Sequence, residues 1–405
     1  MDLKEIRNSI DAIDYDIVKL LNRRLENALR LKRLKEGVVE PAREREVFEH
    51  VRSCSHNVTE PEFTERLYRM IIEESRRIQE KGLRLIGFQG EHGAYSEMAA
   101  RIWHPTLASI PCVSFHDVFR EVETGQFDFG IVPVENSLEG AITEVNDLLI
   151  ETKLHIVGEA TIPVHHCLLA LPEQDYREIR AVYSHPQALG QCRGFISRHK
   201  LDPRPFYDTA GAAAMLREQK PAATGVIASR LCAELYNLEI LKEDIEDHVS
   251  NTTRFVVISR EARQEEGNKC SIIFSVSHRP GGLFSVLEIL SDKGINMTRI
   301  ESHRLLRGNL SSEHGEREGE APVALPLEGA TRAPAIESRP LRNDPGSYAF
   351  FLDFEGSDKD ERVIQALDAI SKRSITFKLL GCYKVNGVMG QGSRVKEDQP
   401  AGKAI

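Results

Sequence analysis

Between Leu3 and about Lys35 the apolar residues Ile6, Ile10, Ile13, Ile17, Leu20, Ala28 and Leu31 recur at helical spacing, with no Pro or Gly to interrupt them. This predicts one long amphipathic helix. Gly37 and Pro41 break the pattern, and further helices are predicted from Ala42 to about Ser53 and from about Pro61 to Gln79. Beyond Lys81 and Gly82 the period changes. Apolar runs at 83–88, 127–134, 181–183, 225–228 and 256–258 alternate with helical stretches, which predicts an α/β module. A polar linker, 261–268, leads to a strand at 272–276, a helix at 283–293 and a strand at 295–300. A strand at 347–354, a helix at 358–372 and a strand at 376–385 complete the set. The chain thus reads as multidomain: all-α over 1–81, two-lobed α/β over 83–260, and α+β over 269–385. The stretch at about 305–332, rich in Gly, Glu, Pro and Ala, and the tail 386–405 are expected to be disordered.

At 100° per residue, Arg24 and Lys35 fall within about 20° of the first helix's apolar stripe, while Arg7 points to one side. A buried cation needs an anion. Glu44 or Glu74 could supply it, or a ligand could.

The 405 residues carry a formal charge of -9 with no basic block, which argues against nucleic-acid binding. The start lacks an apolar signal core, and no run approaches the roughly 20 apolar residues of a membrane span, so a soluble, cytoplasmic chain is expected. Seven cysteines are scattered singly and read as reduced thiols. His165 and His166 are adjacent but have no HExxH spacing and no carboxylate cluster beside them in sequence, so no metal is expected. Gly90 to Gly93 has the wrong spacing for a dinucleotide fingerprint and no P-loop occurs, so no cofactor is expected.

Within the α/β module, five strand or loop ends pass into helices or turns through a hydroxyl: Ser96, Ser137, Ser184, Thr209 and Ser229. Each alone suits a helix cap, but together they suggest a shared anionic ligand. The run Asn251, Thr252, Thr253, Arg254, Phe255 puts hydroxyls, a cation and a ring directly before an apolar strand. That places a donor and a guanidinium at a cleft edge.

Three resemblances follow from motifs. The segment IRNSIDAID with Arg24, Lys35, an RE pair, Ser75 and Gln79 resembles the all-helical chorismate mutases, a family of dimers whose long helices pair. The resemblance implies that Arg24, Lys35, Arg43 and a partner chain's Arg7 hold the carboxylates and ether oxygen of chorismate. It also implies that Glu44 and Ser75 bind its hydroxyl side and Gln79 the ether oxygen. Glu40 stands where relatives commonly place Asp.

GEHGAYSE, VPVENSLEG, SHPQALGQC, DTAGAAA and NTTRF, in this order, resemble prephenate dehydratase, a two-lobed fold like a periplasmic binding protein. This implies Thr253 as the catalytic residue, with Arg254 and Phe255 beside it and Asn136, Ser137, Ser184, Gln187 and Thr209 lining the cleft. Thr252 reads as structural. Ala94 gives a GAYS form also found in arogenate dehydratases, so arogenate stays open as a substrate.

The third module resembles an ACT regulatory domain of ferredoxin-like fold, in which phenylalanine binds at a subunit interface against Gly281, Gly282 and Leu283 and an ESRP motif. Two imperfect copies of that motif occur, Glu301-Ser302-His303-Arg304 and Glu337-Ser338-Arg339-Pro340, and the second is favoured as the effector motif. The implied partners are chorismate, prephenate, phenylalanine and further copies of the chain, as a dimer or tetramer. A metabolite sensor without catalysis is the alternative of a different class.

Overall fold

A computed structural model describes residues 3–304 and 348–385, apart from 36, 38, 39, 57 and 278. The expected disorder at 305–332 and 386–405 and the second repeat, Glu337, Ser338, Arg339 and Pro340, lie outside the described residues.

Three helices, Leu3–Leu34, Pro41–Cys54 and Pro61–Glu80, form the first module. Both later helices start with Pro at the first helical position, where a missing N–H costs nothing. Within one chain the first helix keeps only Leu29 buried. Ile6, Ile10, Ile13, Ile17 and Leu20 are 44–63 % exposed, against the expectation of a covered stripe. The stripe outreaches the two shorter helices, which leaves its N-terminal half without a layer to pack on.

The α/β module contains two sheets. The first runs Ala108–Cys112, Leu85–Gln89, Phe129–Asn136, Thr252–Ser259, His155–Pro163 in spatial order; the second runs Glu239–Lys242, Cys167–Ala170, Thr224–Ala228, Ala181–Ser184, Asp202–Pro205. The chain crosses between them twice, at 164–166 and 243–251. These crossings are tied by Val164 N donating to the Asn251 carbonyl and Ile245 N to the His166 carbonyl. Contrary to the sequence reading, carboxylates do lie beside His165: Glu246 Oε1 at 2.8 Å and Asp244 Oδ1 at 3.7 Å from Nδ1. The fold brings them from some 80 residues away. Glu246 also accepts from His166 N at 2.9 Å, so it clasps the two crossings together.

The third sheet has the order Met297–Arg304, Tyr348–Glu355, Lys269–Ser275, Thr376–Tyr383, with helices Phe284–Asp292 and Glu361–Arg373 packed on one face. The first motif copy occupies the edge strand, with Glu301 opposite Phe351 and Arg304 opposite Tyr348. The sheet's other face joins the core of the first α/β sheet through Ile273, Phe351 and Tyr383. At Gly381 a Cβ would collide with the Ile156 carbonyl, so only glycine lets these two sheets approach so closely. Cys270 and Cys382 are register partners on adjacent strands and form a disulfide, which corrects the reading of all seven cysteines as reduced thiols. Their separation of 112 residues hid the pairing from the sequence.

The long helix also touches the α/β module. Lys19 pairs with Glu218 at 3.1 Å, Arg33 with Asp128 at 2.5 Å, and Glu26 with His92 at 3.1 Å, the last contact close but poorly aligned for a hydrogen bond. Burial alone would lower the His92 pKa, but the carboxylates of Glu26 and Glu97 outweigh it and raise the value to about 9. A raised folded-state pKa stabilises fully below the ordinary value of 6.5, and this is lost as pH rises through about 9. Glu26→Gln should therefore lower the melting temperature more at about pH 6 than at about pH 10. A gap that does not narrow with pH would rule this pairing out.

Candidate active sites

In the helical module Ser75 and Gln79 lie one turn apart on the buried face of the third helix. Arg24 Nη1 donates to Ser75 Oγ at 2.5 Å, and Gln79 Nε2 donates to the Ala28 carbonyl at 2.6 Å. Lys35 Nζ lies 2.5 Å from the Glu40 carboxylate. Neither Glu44 nor Glu74 neutralises the stripe cations: Glu44 pairs with Arg76, and Glu74 with Arg77. Lys32, missed in the sequence, donates to the Gln79 carbonyl and helps fix that residue. Arg43 is exposed and paired with Glu46 at 2.8 Å. Arg7 is not brought to this group, since it precedes Arg24 by roughly 25 Å along the same helix.

The α/β module holds a cleft of about 430 Å³ where its two sheets face each other. Thr253, Phe255 and Asn136 line it from the first sheet, and Gln187, Asp208 and Thr209 from the starts of the helices that follow strands of the second. Thr253 and Asn136 are register partners on antiparallel strands, with Asn136 Nδ2 donating to Thr253 Oγ1 at 3.0 Å and to Asn251 Oδ1 at 2.8 Å. Asn136 Oδ1 accepts from Leu138 N and Glu139 N, which fixes its amide orientation. Since Thr253 Oγ1 accepts from Asn136, its proton is available to a molecule in the cleft.

Asn251 continues the network to Gln191 Oε1 at 3.0 Å, and His166 Nε2 meets the same oxygen at 2.8 Å. Burial pushes the His166 pKa below its ordinary value, so the ring is neutral, with the Nε2 proton assigned from this network. Tyr95 completes the wall, donating to the His165 carbonyl at 2.5 Å and lying 3.1 Å from His166 Nδ1. Burial raises the Asp208 pKa, while its Oδ1 caps the Thr209–Gln219 helix through Gly211 N at 2.8 Å. No Lys or Arg is among the described residues that line the cleft.

Three expected cleft residues stand elsewhere. Ser184 is fully buried and donates to the Ile227 carbonyl at 2.6 Å, closing the sheet behind the cleft. Ser137 accepts from Thr252 N at 3.0 Å and is exposed. Arg254 lies between Thr253 and Phe255, and strand alternation turns it to the opposite face, where it meets Glu159 at 2.8 Å and Asp353 at 2.7 Å. Of the five hydroxyls, Ser96 and Thr209 line the cleft, whereas Ser229 caps its helix and donates to the Gly93 carbonyl. Tyr95, His166 and Gln191 went unassigned because their network joins segments far apart in sequence.

A helical module built around a long helix, fused to a two-lobed α/β module with a hydroxyl-bearing cleft, defines an enzyme with two separate catalytic modules. The chorismate mutase type II family profile matches residues 6–80 and the prephenate dehydratase profile residues 86–263. The bifunctional chorismate mutase/prephenate dehydratase of Aquifex aeolicus is 32% identical over 394 residues, covering 94% of this chain and 98% of that protein. Arogenate dehydratase/prephenate dehydratase 1, chloroplastic, of Arabidopsis thaliana is 36% identical, covering 74% of this chain and 72% of its own. A crystal structure of prephenate dehydratase from Arthrobacter aurescens in complex with L-Phe superposes with a TM-score of 0.60 at 27% identity, over 74% of this chain and 89% of that one.

The chain belongs to the bifunctional chorismate mutase/prephenate dehydratase family. It is both an isomerase and a lyase, and it serves phenylalanine biosynthesis. Among the described residues no helix is long and apolar enough to cross a membrane.

Proposed function

We propose that Thr253 donates a hydrogen bond to the departing ring hydroxyl in the dehydratase, and the observation that carries this is the Asn136 bond that its oxygen accepts, which leaves its own proton available to the cleft. Loss of carbon dioxide from prephenate sends an electron pair into the ring and expels the ring hydroxyl. That hydroxyl departs hydrogen-bonded to Thr253 and takes up one proton from solvent to become water, and the ring becomes aromatic. A positioned hydroxyl donor is what the enzyme must add. With no Lys or Arg among the described residues of the cleft wall, the first-turn N–H groups of the helix at Tyr95, which no side chain caps, are the anchors for the substrate carboxylates.

For the mutase, Arg24, Lys35 and Gln79 hold chorismate in its reactive conformer and stabilise charge on the breaking C–O bond, while Arg43, Glu44 and Ser75 complete the pocket. Arg7 comes from a second chain. The exposed Ile6–Leu20 stripe supports this reading, because it is the surface such a chain would cover.

The β-α-β-β-α-β order of the third module supports an ACT domain that binds phenylalanine near Gly281, Gly282 and Leu283 in a cytoplasmic homo-oligomer. The Arthrobacter aurescens complex with L-Phe supports feedback by that amino acid. The cleft's Ala94 keeps arogenate as a second substrate.

One assay tests the whole reading. Supplied with chorismate, prephenate and arogenate in turn, the protein should yield phenylpyruvate from the first two, with arogenate the poorer dehydratase substrate. A preference for arogenate would overturn the prephenate assignment.

A further inference from the structure

The face of the first α/β sheet that turns away from the cleft carries charges the dehydratase chemistry does not use. Arg254 and Glu135 are register partners, one residue along from the Thr253 and Asn136 pair. Alternation therefore sends one pair into the cleft and the other toward the C-terminal sheet. As Arg254's register partner, Glu135 faces the same interface, and a register shift beyond it leaves Val134 as an extra residue opposite the step to Phe255.

At this interface Arg254 is 12 % exposed and meets Glu159 and Asp353, which are buried further still, while Glu135 lies 3.8 Å away and is more open. Its Nε donates to Glu159 Oε2 at 2.8 Å, and its Nη2 lies 2.7 Å from Asp353 Oδ2, off the hydrogen-bonding line, and 3.4 Å from the Tyr383 hydroxyl. Asp353 and Tyr383 belong to the C-terminal sheet, where both meet Ser271 Oγ, at 2.5 and 2.9 Å. Lys269 reaches Glu159 at 2.8 Å, and Arg299 reaches Glu135 at 3.3 Å and Glu301 at 2.9 Å. The first copy of the ESR repeat is thus two ion pairs from Glu135, whose neighbour Asn136 holds the Thr253 hydroxyl.

Buried charges held this way are costly to leave half-paired, and the aligned bond from Arg254 Nε to Glu159 fixes the direction of the guanidinium that faces Asp353. We propose that Arg254, with Glu135, is a positioning residue of the dehydratase: it locks the catalytic strand to Asp353 of the C-terminal sheet and so sets where the Thr253 hydroxyl points. The C-terminal sheet is then part of the active-site scaffold even without an effector. A shift of its Met297–Arg304 edge strand has a direct route to the reacting group. This rests on the reading of Thr253 as the hydrogen-bond donor to the leaving hydroxyl.

The test uses the full chain with Arg254→Met, Asp353→Asn and the double variant. Mutase turnover and thermal unfolding serve as checks of integrity. Each single variant should lower dehydratase kcat about 10-fold or more while KM stays within about two-fold, since an ångström of misplacement acts on the chemical step. The double variant should be no worse than the worse single one. A raised KM with kcat kept would mean that Arg254 binds substrate, and multiplying losses would mean that the two residues act independently; either overturns the proposal. If Arg254→Met does not fold, the near-isosteric Asp353→Asn decides alone, and an unchanged kcat there overturns it. Full dehydratase activity in Thr253→Val would instead contradict the donor reading.

Discussion

Replacing Thr253 by Val is expected to lower dehydratase kcat at least ~100-fold, the usual size of a lost hydrogen-bond donor to developing charge. Thr253→Ser should keep most of it. Valine preserves the shape of the side chain at a position that packs beside Phe255 and Asn136, so the loss is chemical rather than structural. Serine keeps an oxygen that Asn136 Nδ2 can reach. Steady-state rates of phenylpyruvate formation from prephenate measure both variants. Equal activity in Val and wild type would remove the hydroxyl from the mechanism.

The second large effect concerns the mutase. Arg24→Ala should reduce chorismate turnover by about 100-fold or more, because it removes charge from a site whose only work is confinement and electrostatic stabilisation. Arg7→Ala should also be deficient, although Arg7 lies too far along the helix to reach Ser75 and Gln79 in its own chain. Mixing the two inactive variants under conditions that allow exchange gives a sharper result. If pairs of chains share sites, a mixed pair has one site with both arginines intact, and random pairing should recover about a quarter of wild-type mutase turnover. No recovery would place Arg7 outside the site.

Much of this architecture was legible because local periodicity matches the final packing. The helices of the first and third modules and most strands fall within a few residues of the apolar patterns, from Leu3–Leu34 to Thr376–Tyr383, whereas helices such as Phe115–Glu123 and Thr143–Glu151 had no predicted range. What the pattern could not supply was depth. The first helix's stripe is a correct helical period whose covering layer is absent from a single chain. The NTTRF motif located the right strand, but a motif read as a string puts Thr253, Arg254 and Phe255 together, whereas a strand puts every second side chain on the other face. That is why Arg254 reaches Asp353 and not the cleft. Ser184 and Ser229 likewise satisfy backbone carbonyls inside the fold, which no spacing reveals. The Glu246 clasp and the Cys270–Cys382 link join residues 80 or more positions apart, beyond the reach of any local signal.

The claim that two independent sites share this chain is tested most directly by feeding chorismate alone to the Thr253→Val protein and separating the products. Prephenate should accumulate at the wild-type mutase rate with almost no phenylpyruvate. Phenylpyruvate at the wild-type rate, or failure to form prephenate at all, would contradict it.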